Sequence, residues 1–66
     1  SRICKFIYEN ENHIDELSHR KIAAILNITP ETLSRNLSTL KKDEIIVVNN
    51  RKIEILDKDR LSLLLT

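Results

Sequence analysis

The chain has 66 residues, which allows one small domain near the lower size limit for independent folding. Apolar residues make up 41% of it and charged residues 32%, which suits a globular domain and is too apolar for plain disorder. Net charge is +1, yet residues 18–52 hold seven cations against three carboxylates while both flanks are net negative. A basic middle in a near-neutral chain points to an anionic partner or to an ordinary solvated face.

The only aromatic residues are Phe6 and Tyr8, so the core must be aliphatic. The longest apolar runs, residues 45–48 and 63–65, fall far short of the roughly 20 residues that a membrane span needs. The start, Ser1-Arg2-Ile3-Cys4-Lys5, holds no apolar stretch of the kind that begins a secretory signal. Cys4 is the single cysteine and can form no internal disulfide, which points to a reducing, cytoplasmic setting. A first residue of Ser rather than Met leads us to expect a fragment or a processed chain.

Ile3, Phe6 and Ile7 at i, i+3, i+4 predict a short amphipathic helix ending near Glu9. Residues 10–13 are polar and read as a loop. Ser18 is placed to cap a second helix with an apolar stripe of Ile22, Ile25 and Leu26, and Asn27 suits its exit because Asn tolerates left-handed backbone. Thr29-Pro30 is the clearest local signal: Thr is a good N-cap, and Pro is favoured at the first helical position. A third helix follows, with Leu33, Leu37 and Leu40 as its stripe, stopping around Lys42 or Asp43. Residues 45–48 are β-branched and predict a strand. Asn49-Asn50-Arg51 reads as a turn, and Ile53 and Ile55 flank Glu54 in a second strand. Asp57 then caps a last short helix through Leu61 and Leu64.

Two helices joined by about three residues suggest helix-turn-helix, and a hairpin directly after the third helix makes it winged. The predicted class is mainly α with a small β-hairpin wing on a three-helix core. Ala23 fits this reading, since it lies where the third helix must cross the second closely. Enzyme chemistry finds no support. His13 and His19 form no zinc-ligand spacing with Cys4 or with carboxylates, and a chain without glycine has no Gly-rich phosphate loop. We therefore expect no catalytic residue, no metal and no cofactor in this domain.

The stretches Leu17-Ser18-His19-Arg20-Lys21-Ile22-Ala23, Leu26 through Arg35, Ile45-Ile46 and Ile53-Glu54-Ile55-Leu56-Asp57 resemble the C-terminal DNA-binding domain of Crp–Fnr family transcription regulators. Asn27 and Glu44 stand where the family often has Gly, and Asn36 where an apolar residue is usual. The resemblance implies that residues 1–66 are one winged helix-turn-helix domain, with a sensory domain and a dimerisation helix lying outside this chain. It also implies double-stranded DNA as partner, a homodimer in the full protein, and contact with RNA polymerase; the effector stays unidentified. A winged-helix protein-interaction module is the alternative reading, against which the polar Glu31, Ser34, Arg35 and Ser38 argue.

Within residues 30–42, the recognition helix of this reading, Glu31, Ser34 and Arg35 share one face at i, i+3, i+4. These residue types can read base edges in a major groove: Arg35 a guanine, Glu31 a cytosine amino group, Ser34 a base edge or thymine methyl. A Glu31–Arg35 ion pair on a solvated surface is the plainer alternative. The Glu-x-x-Ser-Arg spacing is similar to that of the Fnr branch, which implies TTGA-type half-sites. Ser18 and Thr29 at helix starts, Arg20 in the first turn of the second helix, and Arg51 and Lys52 at the wing tip are the candidate phosphate contacts. Capping and hairpin solubility are their ordinary roles.

Overall fold

A computed structural model describes residues 2–65, so Ser1 and Thr66 of the expected domain lie outside the described residues. Helix α1 spans Arg2–Glu9, α2 His19–Leu26, α3 Pro30–Lys42 and α4 Lys58–Leu63, with strands β1 at Ile46–Asn49 and β2 at Lys52–Ile55. The strands form one antiparallel hairpin pairing Ile46 with Ile55, Val47 with Glu54, Val48 with Ile53, and Asn49 with Lys52. The architecture is the mainly helical winged helix-turn-helix that the sequence predicts. None of these helices is long and apolar enough to cross a membrane.

One apolar cluster holds the elements together. Ile3, Cys4 and Ile7 of α1, Ile22, Ala23 and Leu26 of α2, and Leu33, Leu37 and Leu40 of α3 meet Ile45, Ile46, Ile53 and Leu61. Helix α1 packs on α4, α2 on α3, and α3 on β1. Leu61, with none of its surface exposed, anchors α4. The Cys4 thiol is buried and free.

The expected stripe of α2 needs correction. Ile25 is 53% exposed, and Ala23, at 1%, takes its place. At 100° per residue, Ile22, Ala23 and Leu26 span a single arc, while Ile25 falls to one side of it. In α1, Cys4 joins Ile3 and Ile7 in the core while Phe6 is half-buried. The segment after α1 is more ordered than a loop. A 3-10 turn at Ile14–Glu16 buries Ile14 to 2% exposure and packs it toward β2.

The wing also differs in detail. β1 starts at Ile46 rather than Ile45, because Ile45 closes α3. Its N–H donates to Leu40 O (3.0 Å) while the Glu44 N–H donates to Lys41 O (3.0 Å). That paired closure requires left-handed backbone at Glu44, and its φ is 59°. Asn49 belongs to β1, so the turn is the dipeptide Asn50-Arg51 with φ of 51° and 65°. Positive φ at both positions gives the mirror-image turn whose twist matches a hairpin. Helix α4 ends at Leu63, leaving Leu64 outside it and partly exposed.

Candidate nucleic-acid interface

The angle between α2 and α3 is set by three residues and a small side chain. Asn27 takes left-handed backbone (φ 57°, ψ 45°), and its N–H and that of Ile28 return to Ala24 O and Ala23 O at 3.1 and 2.9 Å. Thr29 is extended, and its Oγ1 accepts from the Thr32 N–H at 3.1 Å, with Pro30 opening the helix. Ala23 is buried on α2, the helix that packs against α3, where a longer side chain would overpack the core.

Two arginines from flanking helices hold the C-terminal ends of the two helices. Arg2 of α1 donates to Leu26 O at the end of α2 (2.7 Å). Arg60 of α4 donates to Asp43 O at the end of α3 (2.9 Å). Each places a cation where the helix carries partial negative charge and unpaired carbonyls. These long-range ties have no signal in local sequence.

With the Leu33, Leu37 and Leu40 stripe turned to the core, α3 presents Glu31, Ser34 and Arg35 on its exposed surface. The Glu31–Arg35 ion pair does not form. Among the described residues, none of these three side chains has a hydrogen bond or ion pair. Their neighbours behave differently. Asn36 Nδ2 donates to Thr32 O (2.8 Å), Thr39 Oγ1 donates to Arg35 O (3.3 Å), and the Thr29 and Thr32 hydroxyls bond each other (2.9 Å). The α3 surface thus carries polar groups folded onto their own helix beside others, Glu31, Ser34 and Arg35 among them, that are unengaged.

A second feature lies at the start of α2. Ser18, His19 and Arg20 line an open concavity whose other wall is Arg51 at the wing tip. Three of the five expected phosphate contacts, Ser18, Arg20 and Arg51, are therefore brought together by the fold. Ser18 Oγ accepts from the Lys21 N–H (3.1 Å), so it also performs its ordinary capping role. Thr29 and Lys52 are exposed but lie outside this lining. Lys41 and Lys42 occupy the last turn of α3, where they complement the helix dipole.

His19 is the lining residue that sequence reasoning passes over. Its Nε2 is buried and has no hydrogen-bond partner. The available signal was its position directly after the Ser18 cap, at the opening of a helix.

The Crp-like helix-turn-helix domain family matches residues 1–64. No curated protein and no solved structure matches the chain. Proteins of this family are DNA-binding transcription regulators, and the domain is typically not enzymatic. With the match running over all but the last two residues, and with the three-residue turn and wing in place, the chain belongs to the Crp-like helix-turn-helix domain family.

Proposed function

We propose that α3 enters the major groove of duplex DNA and reads TTGA-type half-sites through Glu31, Ser34 and Arg35. The observation that carries this reading is the unengaged state of those three side chains on one exposed helical surface. The Arg35 guanidinium donates two bonds to guanine O6 and N7, the Glu31 carboxylate accepts from a cytosine amino group, and Ser34 meets a base edge or a thymine methyl. Ser18, Arg20, Thr29, Arg51 and Lys52 hold backbone phosphates and fix the register. Residues 1–66 are one module of a longer cytoplasmic regulator that binds as a homodimer across two half-sites and contacts RNA polymerase, with its signal sensed elsewhere.

The test is fluorescence anisotropy with a TTGA-containing palindrome and a scrambled duplex at two salt concentrations. The palindrome should be preferred, and salt should weaken both complexes, because phosphate contacts release counterions. Arg35→Ala should reduce the preference by about 1–3 kcal/mol, the usual worth of one bidentate base contact. Unchanged selectivity in Arg35→Ala would remove the base-reading assignment. Absence of binding at either salt, even when the domain is artificially dimerised, would favour a protein-docking wing instead.

A further inference from the structure

Two carbonyls on either side of α3 are held from behind. Leu26 ends α2, and in a continuing helix the donor to its carbonyl would come from four residues on. That residue is Pro30, which has no N–H. Arg2 of α1 supplies the missing donor through Nη2, in a partly buried bond of 2.7 Å. Only Asn27, Ile28 and Thr29 separate this carbonyl from α3. Past the other end of α3, the Asp43 carbonyl accepts from Arg60 Nη1 of α4 at 2.9 Å. The two helices that carry these arginines form one unit. Helix α1 packs on α4, Lys58 Nζ of α4 donates to Glu11 just beyond α1 at 2.6 Å, and the same ammonium lies 5.4 Å from the centre of the Tyr8 ring. A brace of α1 and α4 therefore grips the chain before α3 begins and directly after it ends.

We propose that Arg2 and Arg60 are positioning residues for groove reading: through the Leu26 and Asp43 carbonyls they fix the direction in which α3 presents Glu31, Ser34 and Arg35. This inference rests on the duplex-binding reading above and adds residues that touch no part of the duplex. A guanidinium donates in a fixed planar fork, so it restricts where a carbonyl can lie as well as satisfying it. A bidentate base contact tolerates little misplacement, whereas attraction to the phosphate chain is spread over many charges and tolerates more. Loosening the brace lets α3 sample orientations in which its three side chains miss their base edges. Affinity for the preferred sequence then falls in proportion to the fraction that is still correctly aimed. Sequence-independent binding is spared.

The experiment measures fluorescence anisotropy of the 66-residue chain on the TTGA palindrome and on the scrambled duplex, at several salt concentrations. The temperature is one at which circular dichroism shows the variants folded. Arg2→Met keeps an apolar stem and removes the donor. Its ratio of palindrome to scrambled affinity should fall about tenfold, the order expected for one hydrogen bond from a charged donor. Its salt slope should stay native, because no phosphate contact is lost. Arg2→Lys restores a donor and should recover most of the ratio. Arg60→Met should lose about threefold, since its bond to Asp43 is exposed, and it carries the test should Arg2→Met prove unfolded. Lys5→Met removes an exposed cation from the same helix and should keep the native ratio. A native ratio in folded Arg2→Met and Arg60→Met overturns this inference alone. So does an equal loss in Lys5→Met, or a salt slope in Arg2→Met reduced by about one, the mark of a phosphate ligand. Absence of any preference for the palindrome in the native chain overturns the reading of TTGA-type half-sites and this inference with it.

Discussion

Replacing Glu44 with glycine should stabilise the domain, and the size of the gain follows from one backbone angle. Glu44 closes α3 at φ 59°, where a side chain bearing Cβ costs about 1–2 kcal/mol. Glycine removes that penalty but gives back about 0.5–1 kcal/mol through the greater freedom of the unfolded chain. The expected net gain is about 1 kcal/mol, and in a domain of this size that raises the melting temperature by about 4–8 °C. Circular dichroism during thermal unfolding reads it directly. The carboxylate also sits at the negative end of α3, so Glu44→Ala is the necessary control, since it removes the charge and keeps Cβ. Alanine should recover only the few tenths of a kcal/mol that an exposed charge is worth near a helix end. Equal gains from alanine and glycine would assign the effect to charge and refute the backbone reasoning. Because Glu44 lies outside the three-residue face of α3, neither change should alter base selectivity.

Three further variants bear on packing and on pH. Leu33→Ala should cost about 2–5 kcal/mol in urea unfolding, a large share of the roughly 3–10 kcal/mol expected for a chain of this length. Ile25→Ala, at a residue predicted to be core but found on the surface, should fall within about 0.5 kcal/mol of the native chain. Lys58 Nζ lies 2.6 Å from Glu11 Oε1 and 5.4 Å from the centre of the Tyr8 ring. The hydrogen bond that Lys58 Nζ donates to the Glu11 carboxylate, and then the charge of that carboxylate, hold the Lys58 pKa above its usual 10.5. A raised pKa means that the contribution to stability is full below 10.5 and is lost as pH rises through the raised value. Glu11→Gln should therefore lower the melting temperature at neutral pH, and the gap should close in strongly alkaline solution. A gap of constant size would show that this pair contributes no pH-linked stability.

What could be read in advance was mostly local. Ser18, Thr29 and Asp57 each accept from the N–H three residues onward, a bond fixed by residue type and spacing alone. The leucine stripe of α3 was legible because 13 residues give a period time to repeat. In α2, with eight residues, Ile25 and Ala23 compete for the stripe, and size favours the wrong one until α3 is laid across it. Ile14 was lost in a polar surround, since a single apolar residue has no period. The ties from Arg2 to Leu26 and from Arg60 to Asp43 join residues 24 and 17 positions apart, a separation that no local pattern reports. The candidate site divides in the same way. The surface formed by Glu31, Ser34 and Arg35 follows from helical spacing, whereas the meeting of His19 and Arg51 exists only once the wing has folded back.

The two-residue turn of the wing gives the reach of Arg51 a discrete character. Each strand has four residues, and at about 3.3 Å per residue the hairpin extends about 13 Å from its base. The turn holds Asn50 and Arg51 with no spare residue, so the Arg51 backbone is carried at the end of paired strands rather than on a tether. Inserting one residue into each strand at its base would swing Val48 and Ile53 away from the core, because side chains alternate faces. The smallest extension that preserves burial is two residues per strand, which moves the tip by about 7 Å. The distance between the wing tip and the start of α2 is thus quantised: it changes in steps of a residue pair, like the jaws of a ratcheted caliper.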